Sequence, residues 1–476
     1  MAELSPMMRQ YMEIKEQNND CIVFFRLGDF YEMFFDDAKT ASEELDITLT
    51  GRDCGLEERA PMCGVPYHSC EQYIARLVER GYKIAICEQT EDPAKAKGIV
   101  KREVVRVITP GTVIEDGMLD EGLNNYLAAI FEKEGAVGFC FADVSTGESK
   151  VTELTGEDAI ERAVNEAIRF NASELLVTKE LNDRIASSLG GRFGGTVTVR
   201  EAECFDVVAQ DTMLCANFGV NDVQNLGIGK GSVSNSALAA VIQYMQENSR
   251  KKDNSIKSVS VYVDSQYMRL DLTAVRNLEI CSTIRTGAKR GSLLWVLDKT
   301  KTAMGKRMLR SFIERPLYDC VEISKRLNAV DELYKNTELL ESETELLVGV
   351  YDMERLMTRV VYNTANAKEL LSLKTTLEKL PELKENLKNA SCNLLKSIYE
   401  EIDVLEDVCS LIEVAIKEDA PFSVREGGMI KDGFNKELDE LRDIVNGGKS
   451  ILAKLEADEQ EKTGIKKLKI GYNKVF

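Results

Sequence analysis

Residues 21–37, CIVFFRLGDFYEMFFDD, decide how the rest of the chain is read. Six aromatics (Phe24, Phe25, Phe30, Tyr31, Phe34 and Phe35) fall within twelve residues, whereas aromatics are sparse elsewhere. The run 22–26 is β-branched and aromatic, which predicts a strand. Gly28-Asp29 then interrupts it with turn chemistry. Phe30 and Glu32 follow two residues apart, so an extended backbone puts both on one face. Two readings are open. In one, Phe30 is core packing and Glu32 a solvated surface group. In the other Phe30 is a wedge, since an apolar ring can enter between base steps from the minor groove, unstack them and kink the duplex. Phosphate repels a neighbouring carboxylate, so its use there would be a hydrogen bond to a base edge. Such a pair favours DNA that is already easy to unstack, such as a mismatch.

Composition sets the bounds. A chain of 476 residues, 44% hydrophobic and 30% charged, predicts two to four folded, helix-rich domains. The start, MAELSPMMRQYMEIKE, lacks a signal-peptide apolar run, and no stretch approaches the roughly 18 apolar residues of a membrane span. A cytosolic location is expected. Twelve cysteines form no CxxC pair, and His68 is the one histidine. Cys63, His68 and Cys70 are close in sequence, but no fourth zinc ligand completes a usual spacing, so free thiols in a reducing compartment are expected and no metal. The net charge of −19 argues against nucleic acid at first sight, because affinity for DNA comes largely from cations that neutralise phosphates. The charge is uneven, however. Residues 250–315 hold fifteen Lys/Arg against six Asp/Glu, and residues 462–476 hold five Lys and no acid. That asymmetry permits a local phosphate-contacting surface; solvated helix faces are the alternative.

The pattern along the chain predicts multidomain α/β plus all-α architecture. Residues 1–115 read as a mixed-sheet α/β domain: a helix capped by Ser5 with Pro6 in its first turn, the strand and aromatic turn, a helix over 36–45, strand 47–49, helix 71–80 closed by Gly81, and strands 83–87 and 104–108. Residues 120–250 read as a second α/β unit with a hairpin of strands 126–131 and 137–143, helices 157–170 and 237–246, and strand 174–177. GIGKGS at 227–232 is not a phosphate loop. The position five before Gly229 is Gln224, and Lys230 is followed by Gly231, so it reads as a glycine-rich loop ahead of a helix. Residues 255–420 are mostly helical after strand 259–263, with helices over 271–283, 293–297, 304–312, 323–334, 344–361 and 367–380, and a break at Arg315-Pro316. In 421–476, Leu438, Leu441, Val445, Leu452 and Leu455 keep seven-residue spacing, which predicts a long helix weakened at Gly447-Gly448. GIKKLKIGYNKVF then alternates like a lysine-rich strand. Lys466, Lys467, Lys469, Asn473 and Lys474 are candidates for sequence-independent phosphate contacts.

LGDFYEMFFDDAKTAS and APMCGVPYHSCEQYIARLVERGYKIAICEQ resemble the Phe-X-Glu and Pro-Tyr-His segments of the MutS family of DNA mismatch-repair proteins. RNLEI, GSLLWVLDKTKTAMGKRMLRSFIERPL, VYDMERLMTRV and REGGMIKDGFNKELDELR are similar to its core, lever and clamp. The resemblance implies a mismatch-recognition domain (1–115), a ribonuclease-H-like connector (120–250), a helical core/lever domain (255–420) and an incomplete clamp (421–476). It implies that Phe30 stacks on a mismatched base, that Glu32 hydrogen-bonds to it, that Arg52 contacts the DNA backbone or groove, and that Pro61 and Met62 lie in a loop beside the wedge. For Arg52 the alternative is a surface salt bridge. Mismatched duplex DNA, a second copy of the chain and a MutL-type protein are the implied partners, in the bacterial cytosol at the nucleoid. ATP and magnesium are implied too, but no Walker A sequence occurs here, so they are expected outside these residues and the chain reads as a non-catalytic fragment. The connector likeness raises one rival function, a metal-dependent nuclease using Asp143. Two-metal chemistry needs several converging carboxylates, and Asp143, Glu148 and Asp158 do not assemble them with any assurance.

Overall fold

The computed structural model describes residues 4–91, 98–205, 207–251, 254–263, 266–268, 270–465 and 468–469. Two compact units emerge: Met1–Ala365 with Asn386–Glu400, and Asn366–Glu385 with Glu401–Phe476.

The first unit begins with α1 (Pro6–Gln17), β1 (Cys21–Leu27), β2 (Phe30–Phe34), α2 (Phe35–Leu45), β3 (Thr50–Arg52), β4 (Ala60–Pro66), α3 (Cys70–Glu79), β5 (Lys83–Gln89) and β6 (Arg102–Ile108). The strands form one sheet in the order β3-β4-β2-β1-β5-β6. β1 pairs antiparallel with β2 and parallel with β5. Both faces are covered, so successive residues of β1 enter opposite cores. Phe24 joins Ala38, Ala41, Leu77 and Val78 of α2 and α3, while Val23 and Phe25 join Met8, Tyr11 and Ile14 of α1. This burial on both faces is why residues 21–27 read as a continuous apolar run without alternation. Buried Asp37 ties the layers together, accepting from Tyr11 Oη (2.8 Å), Lys15 Nζ (2.8 Å) and the Val23 amide (3.0 Å). Burial, with the Asp37 charge next, holds the Tyr11 phenol in its neutral, donating form.

Three local expectations change. Ser5 precedes α1, with Pro6 in its first turn, but the Ser5 side chain makes no cap bond; its amide donates instead to Cys54 O at 2.7 Å. Strand 47–49 is not formed. Asp46 ends α2 in the left-handed region, and Ile47 N returns to Ser42 O, so the strand begins at Thr50. The expected Pro61–Met62 loop is strand β4, which bridges β2 and β3.

The second sheet comprises β7 (Tyr126–Lys133), β8 (Ala136–Asp143), β9 (Glu148–Thr155), β10 (Glu174–Thr178), β11 (Thr196–Arg200) and β12 (Ser260–Val261), in the order β11-β10-β7-β8-β9-β12. The hairpin of β7 and β8 forms as the pattern predicts, and β9 continues it as an antiparallel meander. One face is covered by α4 (Ala159–Arg169) and α5 (Lys179–Leu189). The other carries α6 (Val207–Phe218) and α7 (Val233–Ser249), the latter buried along most of its length, with an apolar middle and polar ends.

Helices α8 (Leu272–Asn277), α9 (Leu293–Leu297), α10 (Ala303–Glu314), α11 (Cys320–Lys335), α12 (Thr337–Leu347) and α13 (Met353–Val361) follow. α8 is half the predicted length. After it Glu279 takes φ +48°, and the 279 and 280 carbonyls accept from Leu293 and Leu294 instead of continuing a helix. The predicted helix 344–361 is broken between α12 and α13, where Gly349 takes φ +87° and Asp352 caps α13 through the Arg355 amide. Then come α14 (Ala367–Leu377), α15 (Leu380–Leu387), α16 (Asn393–Glu401), α17 (Glu406–Ala415), α18 (Lys436–Asn446) and α19 (Gly448–Thr463). In the second unit α14 packs on α17. The predicted long helix is interrupted at Gly447 into α18 and α19, and α19 ends at Gly464 with φ +70°.

Candidate functional site

The site is built on the β1–β2 hairpin. Leu27 pairs with Phe30 across the two-residue turn Gly28-Asp29, and Gly28 has φ +58°, a conformation that favours glycine. Five of the six aromatics in this stretch are buried or half-buried, whereas Phe30 is 46% exposed at the hairpin tip. Phe30 is therefore not core packing, and that bland reading of it fails. Tyr31 and Met33 point to the opposite, buried face.

A polar cluster that sequence reasoning missed props the tip from below. Arg26 donates from Nε to Gly28 O (2.6 Å), stacks over the Tyr67 ring at 3.6 Å and lies 3.6 Å from Glu88. Tyr31 Oη donates to Glu88, and the Tyr67 amide donates to Asp29 O at 3.0 Å. Burial first, then the bond to Glu88, keeps the Tyr31 phenol protonated. The turn that carries Phe30 is thus fixed at both its carbonyls.

Glu32 sits on the same face of β2 as Phe30, as the spacing predicts, and opposite Gly64 of β4. A Cβ at Gly64 would lie 3.1 Å from Tyr31 O and 3.3 Å from Glu32 Cγ, so the glycine leaves room for the glutamate. Arg52 Nη1 meets Glu32 Oε2 at 2.5 Å. The salt-bridge alternative for Arg52 is what the fold contains. Met62 lies on the Phe30 face of β4 opposite Phe34, about 13 Å along the strand from Pro66, which pairs with Phe30. Pro61 alternates to the other face, opposite Gly51.

The remaining candidates are dispersed. Lys469 is exposed and not in a strand, whereas Lys466, Lys467, Asn473 and Lys474 lie outside the described residues. Much of the basic surplus in 250–315 has internal partners. Arg307 is buried and bonds Asp352 (2.6 and 2.8 Å) and Glu354 (2.6 Å). Arg315 is stacked over Phe170, Tyr262 and Tyr267, and Lys289 pairs with Asp298. Cys63 donates to Ala38 O at 3.3 Å, and burial pushes its thiol up to about 12, while Cys70 opens α3 and is raised to about 11 by the same cause. His68 stands edge-on to Tyr67.

Asp143 is fully buried, and its carboxylate is filled by Asn124 Nδ2 (2.8 Å), Asn125 N (3.1 Å), Ser145 N (2.8 Å) and Ser145 Oγ (2.7 Å). Among the described residues no cluster of three or more His, Cys, Asp or Glu could hold a metal ion. Nothing supports the nuclease reading, and Asp143 acts as a buried turn anchor. The glycine-rich loop turns toward carboxylates: Gly231 N donates to Asp211 (2.9 Å), and Val233 N, at the start of the following helix, donates to Glu153 (3.0 Å).

Comparison with known proteins places the chain among its relatives. MutS domain I matches residues 5–117, MutS domain II residues 125–257 and MutS domain III residues 273–469. The chain is 47% identical over its whole length to the DNA mismatch repair protein MutS of Ruminiclostridium cellulolyticum, covering 54% of that protein. It is 46% identical to the MutS of Acetivibrio thermocellus (55% covered) and 44% identical to that of Clostridium tetani (53% covered). The chain spans about half the length of the curated relatives it matches. Among the described residues, no helix is long and apolar enough to cross a membrane.

Proposed function

The chain belongs to the MutS family of DNA mismatch-repair proteins, and on that premise we propose that it recognises base mismatches and small insertion/deletion loops in duplex DNA through Phe30. One observation supports this above the others: a large aromatic side chain, 46% exposed, at the tip of a hairpin whose other aromatics are packed away. A ring held on a rigid turn loses little conformational freedom when it enters a base step, and the step it enters most readily is one already weakened. Discrimination then comes from deformation. The margin is a few kcal/mol per unstacked step. Glu32 supplies a hydrogen-bond acceptor two residues away on the same face. Lys466, Lys467, Lys469, Asn473 and Lys474 would add sequence-independent backbone contacts. The family premise extends the proposal to a homodimer, a MutL-type repair partner, and ATP with magnesium. No nucleotide step is assigned to the residues of this chain, whose glycine-rich loop at 227–232 directs the Gly231 amide to Asp211.

Fluorescence anisotropy with a G·T or one-base-bulge duplex and its matched counterpart tests the proposal at two salt concentrations. The expected result is tighter binding to the defective duplex, with the preference lost in Phe30→Ala. Equal loss on both duplexes would sink the wedge.

A further inference from the structure

Resting on that reading, we propose that Arg52 is a positioning residue that acts through Glu32, not a contact to the DNA backbone. Its guanidinium binds Glu32 Oε2 from two strands away, while Oε1 accepts no hydrogen bond among the described residues. The arrangement fixes the rotamer of a flexible side chain and leaves one acceptor oxygen free. That oxygen suits the imino or amino N–H of an unpaired base, which a matched pair keeps engaged.

Electrostatics points the same way. A bare carboxylate brought to a phosphate-lined groove is repelled; an ion pair with no net charge is not. A second arginine lies within electrostatic reach of Arg52. Arg102, 7% exposed, has no carboxylate partner among the described residues, and donates to Arg26 O (2.7 Å), Val100 O (2.9 Å) and Gln10 Oε1 (3.2 Å). Burial foremost, and the charge of Arg52 with it, lowers the Arg102 pKa, so the two guanidiniums feel each other. Moving Glu32 away would leave Arg52 without the carboxylate that it pairs with. The carboxylate therefore meets the base with Arg52 still attached. The gap at Gly64 completes the seat, because a side chain there would crowd Glu32 Cγ at 3.3 Å.

The test is duplex binding by the 476-residue chain across a salt series, with matched and G·T duplexes. The proteins are the unaltered chain, Arg52→Met, Arg52→Lys, Glu32→Gln and the Arg52→Met/Glu32→Gln double variant. Arg52→Met is expected to lower the mismatch-to-matched ratio about tenfold, the scale of a charge-assisted hydrogen bond, beyond any loss common to both duplexes. Arg52→Lys should restore part of the ratio, and Arg52→Met should change nothing further once Glu32 is Gln. Equal weakening on both duplexes, with the salt slope smaller by about one, would make Arg52 a phosphate contact and overturn the proposal. A further loss in the Glu32→Gln background would overturn it as well. If the unaltered chain shows no mismatch preference, the functional reading itself fails, and this one with it; if Phe30→Ala abolishes a preference that Arg52→Met leaves intact, this one fails alone.

Discussion

Single residues show how closely the recognition face is fitted. Gly64→Ala adds a Cβ 3.1 Å from Tyr31 O, a backbone atom with little freedom to move. Overpacking of this kind costs about 1–3 kcal/mol. A loss of that size in unfolding free energy, read as a lower urea midpoint, is expected, together with a lower mismatch-to-matched binding ratio, because the Glu32–Arg52 pair is displaced. Asp143 gives the contrasting case. Asp143→Ala leaves four donors without their buried acceptor, a loss of roughly 3 kcal/mol or more. Denaturant unfolding should register that loss, and the unaltered chain should show no magnesium-dependent cleavage of duplex DNA. Phe30 and Glu32 were legible because alternation along a strand is local information. Arg26, Tyr67, Glu88 and Arg102 were not, since Arg26 on the hairpin itself meets groups from two other strands and a turn, and sequence spacing carries no trace of that. Arg52 was found by resemblance alone, and its partner only by the sheet order.

Elements were readable where one periodicity ruled and obscured where tertiary bonds took over. β1, α2, α3, the β7–β8 hairpin, α4 and α10 follow their patterns within a few residues. Strand β4 hid behind Pro61, Gly64 and Pro66, which read as a loop but suit a strand lying between short neighbours. α8 stopped early because the 279 and 280 carbonyls pair with Leu293 and Leu294, a non-local contact. Two packing joints carry predictions. At Gly138 an added Cβ would lie 2.2 Å from Val233 O, so the start of α7 rests directly on β8. Gly138→Ala should lower the thermal midpoint more than Gly64→Ala does, since no flexible side chain can yield. Glu174, fully buried, accepts from Thr109 Oγ1 (2.5 Å), Gly111 N (3.0 Å), Thr198 Oγ1 (2.6 Å) and Tyr244 Oη (2.7 Å). It therefore binds the chain leaving the first sheet to the second. Glu174→Ala is expected to cost about 3–5 kcal/mol, with protease cutting near 109–120 as the local readout.

At the scale of the whole molecule, the thiols and the charge balance set solution behaviour. Burial pushes Cys21, Cys63, Cys87 and Cys281 up from about 9 to about 12, whereas Cys320 is exposed. Iodoacetamide should label Cys320 first in the native chain. The native state keeps thiol protons that the unfolded chain releases above pH 9, so stability should fall as pH rises from about 9 toward 12, by up to about 1.4 kcal/mol per thiol per pH unit. A urea midpoint that holds level across that window would contradict the burial of these groups. The net charge of −19 leaves a proposed duplex-binding face only a minority of the surface, and internal partners take up much of the basic run from 250 to 315. In the proposed reading, mismatch sensing rests on the hairpin tip. The most direct test of that claim is 2-aminopurine fluorescence from a base beside a G·T mismatch, titrated with the unaltered chain and with Phe30→Ala. The wedge predicts a rise in emission as the base is unstacked, absent with Phe30→Ala even when enough protein is added to saturate the duplex. An equal rise with both proteins would mean that Phe30 does not enter the step.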